Sequence, residues 1–422
     1  MISMEEVPEL GLIDKSDWAK FVSPHGNKDL PIYNWFSFKH GYSKELVDRL
    51  IDLFQLRGGD WVLDPFCGSG NTLLACKQRG INSIGIDILP FSVSLSNSKL
   101  KEYNISDLNG HMRVLANRLK VKESSLRVRE VTLTDVPLIK KAFDPIVEIE
   151  LDTIKQEILK IEDEQIRNLF MTGFLSIVEF VSNTRKSGGF LRIIKRDVHR
   201  GLAISLFLDK MNRMINDLKN VQSSKRLKIT SEARLGDARN LRISRKFNAV
   251  ITSPPYPNRH DYTRIYSLEM IVEQGLNNTQ LKNIRYKTLR SHVEARKQYE
   301  ANGYEKPRDL DRLIMNIRKN GVNNAQVVQM LYGYFEDMYL SLIEIRKSLV
   351  NGGKIAMVIS NVRFAGVNLP IDEMIADIGR NLGLKPLSIL MLRLRGNSSQ
   401  QMRDYSRSPS RESIVIWEKH DN

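Results

Sequence analysis

The sequence predicts an α/β fold: a doubly wound, mostly parallel sheet of seven strands, with one mainly helical insertion and a second, basic insertion. Two features of the sequence predict this fold. Short apolar runs end in clusters of Gly, Asp or Pro, and patterns typical of helices separate these runs. Such alternation is typical of a parallel sheet with helices on both faces, in which ligands bind at the carboxyl ends of the strands.

Seven apolar runs are the predicted strands, and two long stretches interrupt their alternation. A loop alone separates the last two runs, so we expect them to be antiparallel neighbours. Residues 102–226 and 272–325 are too long for connecting loops, so we expect a helical and a basic insertion there. Residues 1–101, 227–271 and 326–422 then form the core domain. The runs lie at 61–70, 81–90, 227–241, 247–256, 352–360, 388–395 and 412–419.

The composition limits the classes of protein to consider. Lysine and arginine outnumber aspartate and glutamate by 64 to 49 among 422 residues, a formal net charge of +15. This excess suits a polyanionic partner, although many basic proteins bind no nucleic acid. Two cysteines, Cys67 and Cys76, exclude a disulfide scaffold and, without clustered histidines, provide no metal site. Without a signal peptide, or an apolar run of the roughly 18 residues in a membrane helix, we expect a cytoplasmic protein.

The segment DPFCGSG, residues 64–70, follows the first predicted strand and is the first candidate binding element. Gly68 and Gly70 can adopt dihedrals closed to other residues, which lets the backbone approach a ligand closely. The segment lacks the third Gly of a dinucleotide fingerprint and the Lys of a phosphate loop. A carboxylate at Asp64 suits a cationic amino-acid moiety better than a pyrophosphate. The alternative is a tight turn with a structural role only.

Two further acids follow predicted strands. Asp87 lies 17 residues after Gly70, at the end of the second predicted strand. That spacing is expected of an acid that binds a ribose in a βαβ unit. Asp237, in GDARN after the third strand, is placed to hydrogen-bond an adenine amino group. A simple turn residue is the alternative for Asp237.

The segment SPPY, residues 253–256, follows the fourth predicted strand and is the candidate catalytic motif. An exocyclic amine is a poor nucleophile because its lone pair is delocalised into the ring, so an enzyme must hold its N–H groups on acceptors. Ser253 Oγ and the Pro254 carbonyl can supply two acceptors, and the Pro254–Pro255 pair stiffens the loop. Tyr256 offers a flat face on which an extracted base can stack.

These motifs resemble those of the amino-directed DNA methyltransferases of restriction–modification systems, which use S-adenosyl-L-methionine (AdoMet). The resemblance implies that SPPY is catalytic and that the segment 31–51 closes over the methionine part of AdoMet. In this family SPPY goes mainly with cytosine N4, which we favour over adenine N6. Double-stranded DNA is the implied partner, and a cognate restriction endonuclease is a further candidate. The implied cofactor-binding residues are Trp35, Phe36, Ser43, Asp64, Pro65, Phe66, Gly68, Ser69, Gly70, Asp87 and Asp237.

Three basic segments are candidates for DNA contact: residues 185–200, 281–290 and 393–411. Their cations would mostly contact phosphates, whereas reading the bases needs Asn, Gln or Arg side chains in a groove. A solvated charged face is the alternative for each segment. We expect target recognition in the insertions. The candidate residues are Arg185, Lys186, Arg192, Lys195, Arg196, Arg259, His260, Lys282, Arg285, Lys287, Asn397, Gln400 and Gln401.

Other functions stay open on the sequence alone. An RNA methyltransferase that acts on a base amino group would share the Gly turn and the Pro-Pro-Tyr loop. A methyltransferase of protein glutamine or of small amines would not explain the basic insertions. A non-catalytic DNA-binding regulator could keep the fold, but the intact acids and SPPY argue against it.

Overall fold

The computed structural model describes residues 11–126, 136–221, 229–321, 324–396, 405 and 408–420. A sheet of eight strands forms the centre of this part of the chain. The strands described are β1 (Leu12–Asp14), β2 (Trp61–Asp64), β3 (Asn82–Asp87), β4 (Thr184–Ser187), β5 (Phe190–Ile193), β6 (Ser231–Leu235), β7 (Phe247–Thr252), β8 (Leu349–Ser360), β9 (Val362–Phe364), β10 (Val367–Leu369), β11 (Leu384–Arg395) and β12 (Ser410–Lys419).

Helices connect most of these strands. Those described are α1 (Lys44–Leu53), α2 (Asn71–Gln78), α3 (Pro90–Leu100), α4 (Ile105–Ser125), α5 (Pro137–Lys140), α6 (Pro145–Leu159), α7 (Glu164–Val178), α8 (Leu202–Val221), α9 (Tyr262–Ile265), α10 (Ser267–Gln274), α11 (Asn278–Lys287), α12 (Leu310–Lys319), α13 (Gln326–Ser348) and α14 (Ile371–Asn381). Short 3-10 helices span Ser16–Val22, Pro24–Asn27 and Tyr33–Trp35. Within the described ranges, no helix is both long and apolar enough to cross a membrane.

The strand order is β1-β11-β12-β8-β7-β2-β3-β6. The strands β2, β3, β6, β7 and β8 run parallel, and β12 is antiparallel to both β8 and β11. The predicted fold class, the seven predicted strands and the antiparallel pair near the end of the chain are thereby confirmed. The eighth strand, β1, was not predicted, because its three residues are all exposed and too few to show a pattern.

The central strands are apolar because helices cover both faces of the sheet. In β2, Val62 and Leu63 are fully buried, and they contribute to the cores on opposite faces. The residues Leu46 and Leu50 of α1 join the core on one face, and α13 and α14 join the core on the other. Strands buried in this way have nearly continuous apolar sequences, which is why they could be recognised without an alternating pattern.

The segment between β3 and β6 contains six helices and the hairpin β4–β5. Helices α7 and α8 pack closely, and a Cβ atom on Gly173 would clash with the Met211 sulfur. The large apolar core of this segment, to which Phe174 and Phe207 contribute, is continuous with buried residues of α2 and α10. The hairpin was not predicted, because the surrounding sequence has a mainly helical pattern.

The hairpin β4–β5 is anchored beside the loop that follows β7. Lys186 of β4 has a side chain only 1% exposed and forms ion pairs with Glu179 and with Glu269 of α10. At the turn of the hairpin, a Cβ atom on Gly189 would lie 3.3 Å from the Cα atom of His260. Tertiary contacts therefore bring part of the helical segment to the edge of the sheet where the predicted catalytic motif lies.

A second buried ionic cluster ties the segment between β7 and α13 to the sheet. Asp337 of α13 is fully buried and accepts hydrogen bonds from Arg239 (2.9 Å) and Arg290 (2.7 Å). Because unpaired buried charges are strongly destabilising, these contacts hold the loop after β6, residue 290 and α13 together.

Candidate active site

A cavity lies at the carboxyl ends of the parallel strands, where the strand order reverses. Strands β3 and β6 lie on one side of β2, and β7 and β8 lie on the other. Open α/β sheets bind their ligands at such a point. The cavity encloses an empty volume of about 1030 Å³, part of it open to solvent. Its lining includes Phe38, His40, Tyr42, Asp64, Pro65, Phe66, Gly68, Ser69, Asp87, Leu89, Asp237, Ser253, Pro255 and Tyr262.

The turn between β2 and α2 forms the floor of this cavity. Gly68 and Gly70 have φ values of 50° and 74°, which other residues rarely adopt. A Cβ atom on Gly70 would lie 2.8 Å from Ser96 Oγ, and one on Gly68 would lie 3.2 Å from the Phe38 ring. Conformation therefore favours glycine at both positions, and at Gly70 the space requires it as well.

Asp64 is the acid of this turn, and it is nearly saturated with hydrogen bonds inside the protein. Its carboxylate accepts from the hydroxyls of Thr252 (2.6 Å) and Thr72 (2.7 Å) and from the Phe66 backbone N–H (3.1 Å). Burial raises the pKa of Asp64, and the hydrogen bonds from the two threonines offset part of this effect. The geometry gives Asp64 a part in joining β2, α2 and β7, beside any contact with a ligand.

Asp87 stands at the end of β3, on the opposite side of the Gly turn. Its two carboxylate oxygens accept hydrogen bonds from the backbone N–H groups of Gly68 (2.9 Å) and Leu89 (2.8 Å). Burial raises the pKa of Asp87 to about 6, and the charge of Asp64 adds to this effect. The carboxylate has four lone pairs for these backbone donors, so it keeps capacity to accept from a ligand hydroxyl in the cavity.

Asp237 lines the same cavity, but its carboxylate is occupied. It accepts two hydrogen bonds from the Arg239 guanidinium (2.9 and 2.8 Å), one from the Arg239 backbone N–H and one from the Tyr299 hydroxyl (2.8 Å). Burial raises the pKa of Asp237, but the bonds from Arg239 outweigh it and leave the pKa lowered. An adenine amino group would have to displace one of these donors, so the side chain is not the free acceptor that the sequence suggested.

The cavity fits AdoMet, the cofactor that the sequence motifs imply. An acid with free lone pairs, Asp87, faces a turn whose two glycines leave no room for side chains. Apolar side chains from Phe66 and Leu89 offer walls for an aromatic ring. This combination suits a ligand made of an amino acid, a ribose and a base.

The SPPY motif lies at the junction of this cavity with a larger cleft of about 1930 Å³, part of it open to solvent. Ser253 lines both spaces, as does Tyr262. The hydroxyls of Ser253 and Tyr256 are 3.3 Å apart, and the Tyr256 hydroxyl lies 3.2 Å from Glu412 Oε1 on β12. A group held in the cleft at Ser253 would therefore lie beside a group held in the cavity.

The segment that precedes β2 lines the site with Phe36, which was predicted, and with residues that the motif did not single out. The Trp35 indole is fully buried and donates to Asp217, and the Ser43 hydroxyl donates to the Phe21 carbonyl. Phe36 packs edge-on against Phe91 and reaches the larger cleft. The cavity itself is lined from this segment by Phe38, His40, Gly41 and Tyr42.

Some of the cations predicted to contact DNA are exposed, and others are paired within the protein. Lys186 and Arg285 are engaged: Lys186 is buried as described, and Arg285 pairs with Asp261 (2.8 Å) and Glu294 (3.1 Å). Arg196 is half-buried and donates to two backbone carbonyls. Lys186 and Arg285 are therefore structural residues and are unavailable to phosphates. Asn397, Gln400 and Gln401 lie outside the described residues. The exposed candidates are Arg185, Arg192, Lys195, Arg259, Lys282 and Lys287.

The sequence motifs did not indicate His40, Tyr262 or Glu412 as site residues. The His40 ring packs against Tyr262 (4.7 Å) and lies near the half-buried ring of His260 (5.8 Å). Burial lowers the pKa of His40 to about 3, and the charges of His260 and Lys39 contribute. Glu412 lies 156 residues after Tyr256, so no local pattern could have linked the two.

Known proteins resemble this chain in sequence. A family model for N6 and N4 methyltransferases, described as DNA methylase, matches residues 15–98. The chain is 35% identical to the type II methyltransferase M.BsoBI of Geobacillus stearothermophilus, over 95% of this chain and 88% of that protein. It is 29% identical to the type II methyltransferase M.AvaI of Nostoc sp., over 95% of this chain and 89% of that protein. Among solved structures, the rRNA methyltransferase aviRa from Streptomyces viridochromogenes matches 89% of this chain and 85% of its own, with 12% identity and a TM-score of 0.32.

Proposed function

The chain belongs to the amino-directed, AdoMet-dependent DNA methyltransferases of restriction–modification systems, and we propose that it methylates the N4 amino group of cytosine in double-stranded DNA. The position of Ser253 supports this proposal most directly. Ser253 lies between a cavity that fits AdoMet and a cleft that leads to the surface. The choice of cytosine over adenine rests on the serine, since SPPY goes mainly with cytosine N4 in this family.

The residues of SPPY would activate the amino group by accepting its protons in hydrogen bonds. Ser253 Oγ would accept from one N–H and the Pro254 carbonyl from the other, which lets the nitrogen pyramidalise. When bound, AdoMet supplies an electrophilic methyl group on a positively charged sulfur. Positioning and fixed dipoles would account for most of the rate enhancement.

The aromatic side chains at the junction would hold the base and exclude water. The base would first leave the duplex, which costs a few kcal/mol of unstacking and unpairing free energy. It would then stack on Tyr256. Because its pKa is about 3, His40 is neutral at pH 7. The ring of His40 therefore places no positive charge near a sulfonium or near a nitrogen that becomes positive.

Recognition of DNA is assigned to the two segments that interrupt the sheet. The exposed cations of the hairpin β4–β5, Arg185 and Arg192, lie on an element that reaches the catalytic loop. Lys282 and Lys287 of α11 are exposed as well. These cations would contact phosphates and position the duplex, while the target sequence would be read by other groups. A cognate restriction endonuclease would cut the same sequence when it is unmethylated.

The test is to incubate the purified protein and AdoMet with unmethylated genomic DNA, and with bulk RNA in parallel. The nucleosides are then identified by mass spectrometry. N4-methylcytosine in the DNA is the expected product. N6-methyladenine alone would overturn the choice of base and keep the reaction class. Methylation of RNA alone would favour an RNA substrate over DNA.

A further inference from the structure

A chain of hydrogen bonds links Ser253 to a buried acid at the far edge of the cleft. The hydroxyls of Ser253 and Tyr256 are 3.3 Å apart, and Tyr256 is 3.2 Å from Glu412 Oε1. Both distances exceed the usual 2.7–2.8 Å, as catalytic hydrogen bonds often do before a substrate binds. Glu412 is 3% exposed, and its carboxylate pairs with Arg393 (2.6 Å) and Arg395 (3.6 Å).

The chemistry of these groups determines the direction of the chain. A carboxylate only accepts hydrogen bonds, so the Tyr256 hydroxyl must donate its single proton to Glu412. Towards Ser253 the tyrosine oxygen can then only accept. The proton of the Ser253 hydroxyl is therefore directed to Tyr256, and the lone pairs of Ser253 Oγ remain for other donors.

This direction matters because a hydroxyl can donate as well as accept. A serine whose proton pointed at the substrate would offer a donor to an amino group that needs an acceptor. Burial, together with the charge of Glu412, raises the pKa of Tyr256 well above its usual value, so the tyrosine keeps its proton at any ordinary pH.

We propose that Glu412 is a positioning residue that, through Tyr256, orients the Ser253 hydroxyl as a hydrogen-bond acceptor for the substrate amino group. The inference rests on the proposed function, because it assigns Ser253 to the amino group. It gives Tyr256 a second role beside stacking, and it gives the Arg393–Glu412 pair a role in the reaction.

The test compares kcat, KM for DNA and AdoMet affinity in the full-length chain for Tyr256→Phe, Glu412→Gln and the double variant. Tyr256→Phe keeps the stacking face and removes only the hydroxyl. Each single variant should lower kcat about tenfold, as expected for one hydrogen bond made in the transition state, with little change in KM. The double variant should lose about as much as either single one, because both break the same chain.

Glu418→Gln is the matched control, because it makes the same substitution on the same strand. Glu418 lies six residues from Glu412 on β12, is partly exposed and contacts His420 (3.0 Å), so kcat should stay near that of the wild type. Multiplication of the two single effects to about a hundredfold would overturn the inference, as would a wild-type kcat in Tyr256→Phe. If Glu412→Gln no longer binds AdoMet, its kcat cannot be interpreted, and the kcat of Tyr256→Phe alone tests the inference. A wild-type protein that methylates no DNA would instead refute the proposed function, and the two failures are thus distinguishable.

Discussion

Single residues predicted from the motifs lie at the junction of the cavity and the cleft. Ser253 and Tyr256 stand where a base and a cofactor can meet, and Asp87 faces the Gly turn from the neighbouring strand. Asp237 shows the opposite case, because four donors already fill its carboxylate. A residue type at the end of a strand indicates a site, but its partners decide whether it is free to act there.

Replacing Tyr256 by alanine should separate cofactor binding from methylation. Stacking of a base on an aromatic ring is worth about 1–3 kcal/mol, and the variant also loses the hydroxyl, so kcat/KM for DNA should fall by at least roughly 10- to 100-fold. AdoMet affinity, measured by calorimetry, should stay unchanged, because Tyr256 lines the cleft rather than the cofactor cavity. Undiminished turnover in Tyr256→Ala would exclude a stacking role.

Asp87 should make AdoMet binding depend on pH in the acidic range. Burial raises the pKa of its carboxyl to about 6, and only the ionised form has both oxygens free to accept from ribose hydroxyls. Protonation below pH 6 should therefore weaken binding, by about tenfold between pH 7.5 and pH 5. The measurement is the AdoMet dissociation constant across this range.

The Asp87→Asn variant is the control for this dependence. Its affinity at pH 7.5 should already be lower than that of the wild type, and it should change little with pH. A variant that keeps the wild-type affinity, or the same loss between pH 7.5 and pH 5, would show that Asp87 does not bind the ribose.

Among the elements, strands buried on both faces were predictable and the hairpin β4–β5 was not. The strands β2, β7 and β8 read as short apolar runs that end at turns. The hairpin has four residues in each strand, mostly polar or exposed, and it lies within a segment of helical pattern. Its position depends on the ion pairs of Lys186 with Glu179, seven residues away, and with Glu269, 83 residues away in the sequence.

Lys186→Met should destabilise the protein strongly, whereas Arg185→Met should not. Removal of one partner from a buried ion pair costs about 3–5 kcal/mol, since Glu269 would remain buried with its charge uncompensated. Arg185 is the preceding residue and is exposed, so its loss should change the free energy of unfolding by no more than about 0.5 kcal/mol. Chemical denaturation of both variants measures the difference. Equal stabilities would contradict the structural role of Lys186.

At the scale of the whole molecule, the lysines and arginines divide into buried ones that form ion pairs and exposed ones. Arg239 and Arg290 pair with buried Asp337, and Lys186 pairs with buried Glu269. These cations are therefore unavailable to a partner, although they count among the 64 lysines and arginines of the chain. Exposed cations near the catalytic loop are the ones available to DNA. The net charge of the sequence therefore indicates a polyanionic partner, but it does not indicate which cations contact that partner.

Arg185→Gln combined with Arg192→Gln should weaken DNA binding and make it less dependent on salt. If each arginine contacts one phosphate, the slope of log K against log salt should become shallower by about 2. The control pair, Arg57→Gln with Lys101→Gln, replaces exposed cations at the opposite edge of the sheet. Binding titrations at several salt concentrations measure the slopes. A shift as large in the control pair would mean that the hairpin is not a DNA contact.

The sequence by itself determined seven strands of the central sheet, the Gly turn, the acid of β3 and the SPPY loop, because each depends on neighbours within a few residues. Only the tertiary structure decided that Glu412 meets Tyr256, that Lys186 is buried and that the hairpin β4–β5 reaches the catalytic loop. The pairs Tyr256–Glu412, Lys186–Glu269 and Gly189–His260 are separated by 156, 83 and 71 positions. No local pattern records such pairings, since they arise when separate elements pack against the same edge of the sheet.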